Sequence, residues 1–302
     1  MDKNSIKIVG DKVEPKVGIV LVNYNGEKFQ NECIRSIKDM SYKNYEIIIV
    51  DNDSKDNSVT KARAEFDDLV IIQTGENCGV AKGNNIGIKE AIRRKCEYVL
   101  LLNNDTEVHE EMLSNMIKKA NKNTMVTCKM YYYEPNNVIW CAGGKINWKR
   151  ATTIHFGDGE IDRGQFDESK YIEYTPTCCL LIHRSIFDRV GLMDEKYFMY
   201  YDDTDFLARC NKLNIKTWYE STAKLWHKVS SSSGGNLSKI SIYYGDRNRL
   251  YFINKHYKEK GKVLVFFYVS RYLKWIRNKG LLKISQKAIC DYKNNKMYRQ
   301  NI

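Results

Sequence analysis

From residue 17 to residue 133 the chain repeats one pattern: a short unbroken apolar run, a polar stop, then apolar positions at helical spacing. The runs are VGIVLVNYN (17–25), YEIIIVDND (45–53), LVIIQ (69–73), YVLLLNND (98–105) and MVTCKMYYY (125–133). Runs this short, without polar alternation, predict strands covered on both faces. Between them, Phe29, Cys33, Ile34 and Ile37 share one helical face, and residues 58–66 read as a short helix. GVAKGNNIGIKEAIRR (79–94) reads as a loop turning into a helix, and residues 110–120 as another helix. Strand alternating with helix predicts an α/β fold, with a mostly parallel central sheet flanked by helices. After Pro135 the texture changes. VIWCAGGKINW (138–148) suggests hairpins or loops, TCCLLIHRSIFDRVG (177–191) a strand and a short helix, and KTWYE (216–220) a further strand. SSSSGG (230–235) reads as a flexible loop, and from Leu237 onward the pattern is mostly helical.

The polar stops carry the candidate chemistry. Right-handed crossovers bring the carboxyl ends of parallel strands to one edge, where open α/β sheets bind ligands. Asp51 closes one buried run and Asn103-Asn104-Asp105 another, while Asn23 and Asn25 flank the first. Each is open to two readings: a turn, which Asn and Asp enter readily, or a functional group, because a charge ending a buried strand needs a partner. YFMYYDDTDFLARCNKL (197–213) places Asp202, Asp203 and Asp205 within four positions. Their repulsion can raise a pKa toward that of a base, and a helix N-terminus also collects acids. His227 is open as a structural histidine or a metal ligand.

Charge adds an asymmetry. The chain of 302 residues carries +12, yet residues 247–302 hold fifteen Lys or Arg against Glu259 and Asp291 alone, leaving the rest about neutral. No stretch reaches the roughly 18–20 apolar residues of a membrane span. VLVFFYV (263–269), followed by Arg271, Tyr272, Lys274, Trp275 and Arg277, fits a helix lying on an anionic membrane surface, or one packed on the domain with a basic face in water. Nine scattered cysteines without C-x-x-C, and an N-terminus without an apolar signal core, point to a reducing cytoplasmic compartment. The body carries no RNA- or DNA-binding module, so no nucleic acid partner is expected.

Six motifs stand in order: VNYNG (22–26), VDNDSKDNS (50–58), NCGVAKGNN (77–85), LLNNDT (101–106), GLMDEKYFMYYDDTDF (191–206) and His227. Together they resemble family 2 glycosyltransferases of the GT-A fold, of the rhamnosyltransferase-like kind that builds cell-surface polysaccharide. The resemblance covers about residues 16–246, leaving 1–15 as an N-terminal segment and 247–302 as a basic helical extension. It implies inverting transfer of a sugar, rhamnose or another hexose, from a dTDP- or UDP-sugar to a lipid-linked or polymeric glycan at the inner face of the cell membrane. It further implies Mn²⁺ or Mg²⁺ held by Asp105 and His227, Asp203 as general base, and Asp202 and Asp205 at the acceptor or in support. Asn23, Asn25, Asp51, Asn77, Gly79, Gly83, Asn103 and Asn104 would line the nucleotide, and Arg247 would meet the diphosphate. Asn103 departs from the family's Asp-x-Asp motif. Trp140, Trp148, Tyr200, Tyr201 and Trp218 are candidates for stacking on acceptor sugars, with core packing as the other reading. Two other functions remain open. A nucleotidyltransferase would carry a Gly-rich, basic phosphate loop on the first strand, where this chain has VNYNGE. A non-catalytic glycan-binding module would have no need for Asp105, Asp203 and His227 together.

Overall fold

The computed structural model describes residues 8–9, 12–228 and 238–300. A two-residue ladder pairs β1 (Ile8–Val9) with β2 (Lys12–Val13). The first half then runs β3 (Val17–Asn23), α1 (Gln30–Asp39), β4 (Tyr45–Asp51), α2 (Ser58–Glu65), β5 (Val70–Gln73), α3 (Gly79–Arg93), β6 (Tyr98–Asn103), β7 (Thr106–Val108) and α4 (Met112–Ile117). The second half holds β8 (Thr124–Tyr132), β9 (Ile139–Cys141), β10 (Gly144–Asn147), β11 (Thr152–His155), β12 (Lys170–Ile172), β13 (Cys179–His183), α5 (Ser185–Val190), α6 (Asp202–Lys212) and β14 (Lys216–His227). Three helices close the chain: α7 (Lys239–His256), α8 (Gly261–Trp275) and α9 (Lys279–Lys293).

Ten strands form one sheet in the order β12-β14-β8-β13-β6-β3-β4-β5, with β7 on β14 and β9 on β8. The β6-β3-β4-β5 half is parallel, as the alternating pattern predicts. Beyond it the sheet is mixed, because β13 enters antiparallel to both β6 and β8 while β14 lies parallel to β8. Residues 216–227 are one long strand whose register shifts between Glu220 and Lys224, rather than two pieces.

The parallel half has a core on each face. Ile19, Leu21, Ile49 and Leu100 pack on one side, and Val20, Val50, Val99 and Leu101 on the other. Helix α3 lies unusually close to β3. A Cβ at Gly87 would come 2.2 Å from Val20 Cγ1, and one at Gly18 would come 2.6 Å from Ala91 Cβ. Only hydrogen at these positions lets helix and strand meet.

The expected boundary at 246/247 falls inside α7, whose Asp246, Arg247, Asn248 and Arg249 are all buried. The C-terminal helices therefore pack on the body. Among the described residues no helix is long and apolar enough to cross a membrane. The SSSSGG loop lies outside the described residues.

Candidate functional site

Parallel register brings three strand ends together, pairing Asn23 with Asp51 and Val22 with Asn103. The Asn23 amide links them: Nδ2 donates to Asp51 Oδ1 (2.9 Å) and Ser58 Oγ (2.9 Å), while Oδ1 accepts from Asn104 Nδ2 (2.8 Å). Asn25, at φ 56°, accepts from the Lys55 backbone N–H and fixes the loop after β4.

The loop expected to pass near a nucleotide is held by contacts within the chain. Asn77 Oδ1 accepts from Gly79 N. Gly79 has φ +82°, and a Cβ there would lie 2.4 Å from the Phe198 carbonyl oxygen; one at Gly83 would lie 2.8 Å from Val22 Cγ1. Both glycines thus admit other parts of this chain at close range. Asn85 brackets Met193 instead, accepting from its N–H and donating to its carbonyl.

At the next edge β14 runs antiparallel to β7, with His227 opposite Thr106, which sets His227 beside Asp105. His227 Nε2 lies 3.1 Å from Asp105 Oδ1 and 3.4 Å from Asn103 Nδ2. Both Asp105 and His227 are buried, and His227 Nδ1 has no hydrogen-bond partner among the described residues. A carboxylate oxygen and an imidazole nitrogen this close suit a divalent ion such as Mn²⁺, which accepts both donor types. Among the described residues no group of three or more His, Cys, Asp or Glu completes such a site. The remaining positions would fall to substrate oxygens or water, as is usual where Mg²⁺ or Mn²⁺ binds phosphates.

The acidic cluster opens α6. Asp203 accepts from Tyr174 Oη on Oδ2 (2.6 Å), and from Thr204 N (2.5 Å) and Oγ1 (3.0 Å) on Oδ1. Burial and the Asp203 charge hold the Tyr174 hydroxyl well above its ordinary pKa, so it stays a donor. Burial, then Asp203, push Asp202 up to about 8. Burial alone would raise Asp205 too, but His256, Arg209 and Lys255 outweigh it and hold that carboxylate well below the usual range. Asp205 therefore anchors α6.

A line of ring contacts joins the two ends of the site. Trp140 meets His227 edge-on (centroids 4.4 Å) and His155 edge-on (5.3 Å), and His155 stacks on Tyr174 (5.8 Å), which holds Asp203. Burial keeps His155 below its ordinary pKa in spite of Asp203. Sequence reasoning missed His155 and Tyr174, which lie far apart in the chain and carry no motif. Gly144 is the one local sign, since a Cβ there would come 3.2 Å from the Tyr174 ring and 2.3 Å from Ile154 O. Of the other aromatic candidates, Trp148 stacks on Phe252, Tyr201 donates to Ala151 O and Trp218 packs on Tyr171.

Arg247, expected at the diphosphate, is fully buried elsewhere. Its guanidinium donates to the carbonyls of Tyr298 (2.7 Å), Tyr197 (3.1 Å) and Lys196 (3.3 Å), leaving it directed at backbone rather than at a ligand. Asn248 Nδ2, also missed, reaches the carbonyls of Tyr197, Met199 and Tyr200. These contacts brace a loop in which Phe198, Tyr200 and Tyr201 have φ of 63°, 62° and 68°. Such conformations cost roughly 1–3 kcal/mol each and persist only where surrounding structure over-determines them. The loop leads straight into Asp202 and Asp203.

Comparison with known proteins accords with this geometry. The family described as glycosyl transferase family 2 matches residues 18–191. The low-salt glycan biosynthesis hexosyltransferase Agl10 of Haloferax volcanii is 25% identical over 240 residues, covering 77% of this chain and 74% of that protein. The dTDP-rhamnosyl transferase RfbF of Shigella flexneri is 27% identical over 255 residues, covering 79% and 80%. Among solved structures, GalNAc-T7 with UDP, GalNAc and Mn²⁺ superposes with a TM-score of 0.65 at 14% identity. That match covers 91% of this chain but 54% of the other, so this chain spans about half of it, and the likeness is one of fold. A match over more than half its length, on a sheet of this architecture, means that the chain belongs to glycosyl transferase family 2 and is a glycosyltransferase of the GT-A fold.

Proposed function

We propose that this protein transfers a hexose, rhamnose among the candidates, from a dTDP- or UDP-linked donor to a hydroxyl of a lipid-linked or polymeric surface glycan, with inversion at the anomeric carbon. The observation that carries the reading is the unbroken contact line Asp105–His227–Trp140–His155–Tyr174–Asp203, which joins a charge-binding pair to a carboxylate. The Asn23–Asp51–Asn104 network supports a base and ribose site at the adjoining strand ends. Asp105 and His227 would hold Mn²⁺ or Mg²⁺, which when bound supplies positive charge against the departing diphosphate.

Asp203 is the proposed base. Three donors occupy most of the roughly four acceptor sites of a carboxylate, fixing its plane and leaving a lone pair for the acceptor hydroxyl. As that proton moves to Asp203, the acceptor oxygen forms its bond to the anomeric carbon, and the bond to the diphosphate oxygen breaks on the opposite face. A single displacement with Asp203 as its one base inverts the anomeric carbon. The basic excess of residues 247–302 supports a peripheral position at the inner face of the cell membrane.

The test is a panel of nucleotide sugars with Mn²⁺ or Mg²⁺, followed by thermal shift and donor hydrolysis, with Asp203→Asn beside the wild type. Asp203→Asn should bind donor normally while transfer falls by about 10²–10⁴. Equal loss of binding and turnover would assign Asp203 a structural role. Pyrophosphate release from a nucleoside triphosphate and a sugar phosphate would replace the reading with nucleotidyl transfer.

A further inference from the structure

We propose that the outward face of α8 is a docking surface for an anionic lipid bilayer. This rests on the peripheral-membrane part of the reading above and gives it a location. The helix is apolar on both sides. Val263, Phe267 and Trp275 are buried against the body, and Arg249 lies 5.1 Å from the Phe267 ring. On the opposite side Val265, Phe266, Val269, Tyr272, Leu273 and Ile276 are all exposed, Val265 by 64% and Leu273 by 66%. Their spacings of four, seven and eleven residues line them along one stripe. A surface helix normally turns charge toward water; this one turns aliphatic and aromatic side chains.

The occupant follows from the charge. Residues 261–275 contain no acid, and Lys262, Lys274, Arg277 and Lys279 are exposed around the stripe. Arg271 differs, since it pairs with buried Asp246 at 2.6 Å and belongs to the packing. Two copies meeting through this face would set like charges together with no carboxylate on either helix to offset them. Apolar side chains rimmed by cations, with tyrosines between, match the headgroup boundary of an anionic leaflet.

The same face adjoins the site. Arg150, in the turn between β10 and β11, stands over the Phe266 ring at 5.3 Å. Its carbonyl accepts from Arg249, and the neighbouring Ala151 carbonyl accepts from Tyr201, next to Asp202 and Asp203. The far end of that hairpin carries His155. The α8 face is thereby linked through the β10–β11 turn to the Asp203 end of the site.

The experiment is co-sedimentation of the full chain with phosphatidylcholine vesicles, with and without phosphatidylglycerol, at low and high salt. Wild type should partition onto the phosphatidylglycerol vesicles, less so at high salt. Val265→Ser with Leu273→Ser should weaken partition about tenfold or more, as expected from removing two apolar anchors. Lys274→Glu with Arg277→Glu should weaken it similarly, with far-UV circular dichroism and donor hydrolysis in free solution unchanged in both variants. Wild type that hydrolyses donor but ignores anionic vesicles would overturn the docking surface alone. So would undiminished partition of the Val265→Ser, Leu273→Ser variant, or a dimer in sedimentation velocity that this variant dissolves. A chain that docks but neither binds nor hydrolyses any donor would overturn the transfer reading and keep the surface.

Discussion

Two glycines in helices should respond to the same substitution with opposite signs. Gly87 faces β3 across α3, and an added Cβ would lie 2.2 Å from Val20 Cγ1, 3.0 Å from its Cγ2 and 3.2 Å from its Cβ. Val20 is completely buried, so its methyls have no space to retreat. Overpacking at such a site costs up to about 3 kcal/mol. Replacing a helical glycine by alanine returns about 1 kcal/mol of backbone entropy. Gly87→Ala should therefore destabilise by ~2 kcal/mol, lowering Tm by roughly 3 °C for a chain of 302 residues. Gly245 sits in α7, and a Cβ added there would meet nothing within 4 Å. There only the entropy acts, and Gly245→Ala should stabilise by up to ~1 kcal/mol, or roughly 1–2 °C. Differential scanning fluorimetry, checked by urea unfolding, measures both. Adding Val20→Ala to Gly87→Ala removes the two clashing methyls, so the double variant should lose less than the sum of the singles, by about 0.5–3 kcal/mol. A Gly87→Ala protein at least as stable as the wild type, or strict additivity with Val20→Ala, would refute the close approach of α3 to β3.

Three further outcomes concern the site. Between pH 4 and 8 the unfolded chain releases the Asp202 proton that the folded chain keeps, since burial and Asp203 raise that carboxyl from 3.8 to about 8; stability falls as pH rises through this window. Asp202→Asn should flatten that fall and raise Tm at pH 8, and a parallel pH–Tm profile would remove the assignment. Tyr174→Phe deletes the 2.6 Å bond to Asp203; a bond to a charged acceptor is worth ~1.5–3 kcal/mol, so kcat should drop about 10- to 100-fold with donor KM unchanged. Mn²⁺ and UDP together should raise the Tm of the wild type, Asp105→Ala or His227→Ala should abolish that rise, and transfer undiminished by EDTA would exclude a metal at this pair.

The motifs made much of the site readable in one dimension. Asp51, Asn103, Asn104 and Asp105 close buried apolar runs, and in parallel strands the ends of such runs must meet at one edge. The contact of His227 with Asp105 depended on the resemblance, because 122 residues separate them and only the β14–β7 register joins them. Arg247 misled for a physical reason. An arginine opening a basic stretch looks like a solvent or phosphate ligand, yet this one is buried in α7, where the carbonyls of Tyr197 and of Tyr298 in the C-terminal segment accept from it.

Local pattern alone determined the alternating elements, the parallel half of the sheet and the polar strand ends, because periodicity and burial are properties of neighbours in the chain. Folding in three dimensions decided the mixed half, where β13 reverses direction; the line His155–Tyr174–Asp203; and the bracing of the positive-φ loop by Arg247 and Asn248. It also decided that the glycines of α3 meet this chain's own atoms, and that α8 buries one apolar face while exposing another. Each of these depends on which distant segment fills the space beside a residue, and hydrophobicity read along a single strand or helix carries no record of that neighbour.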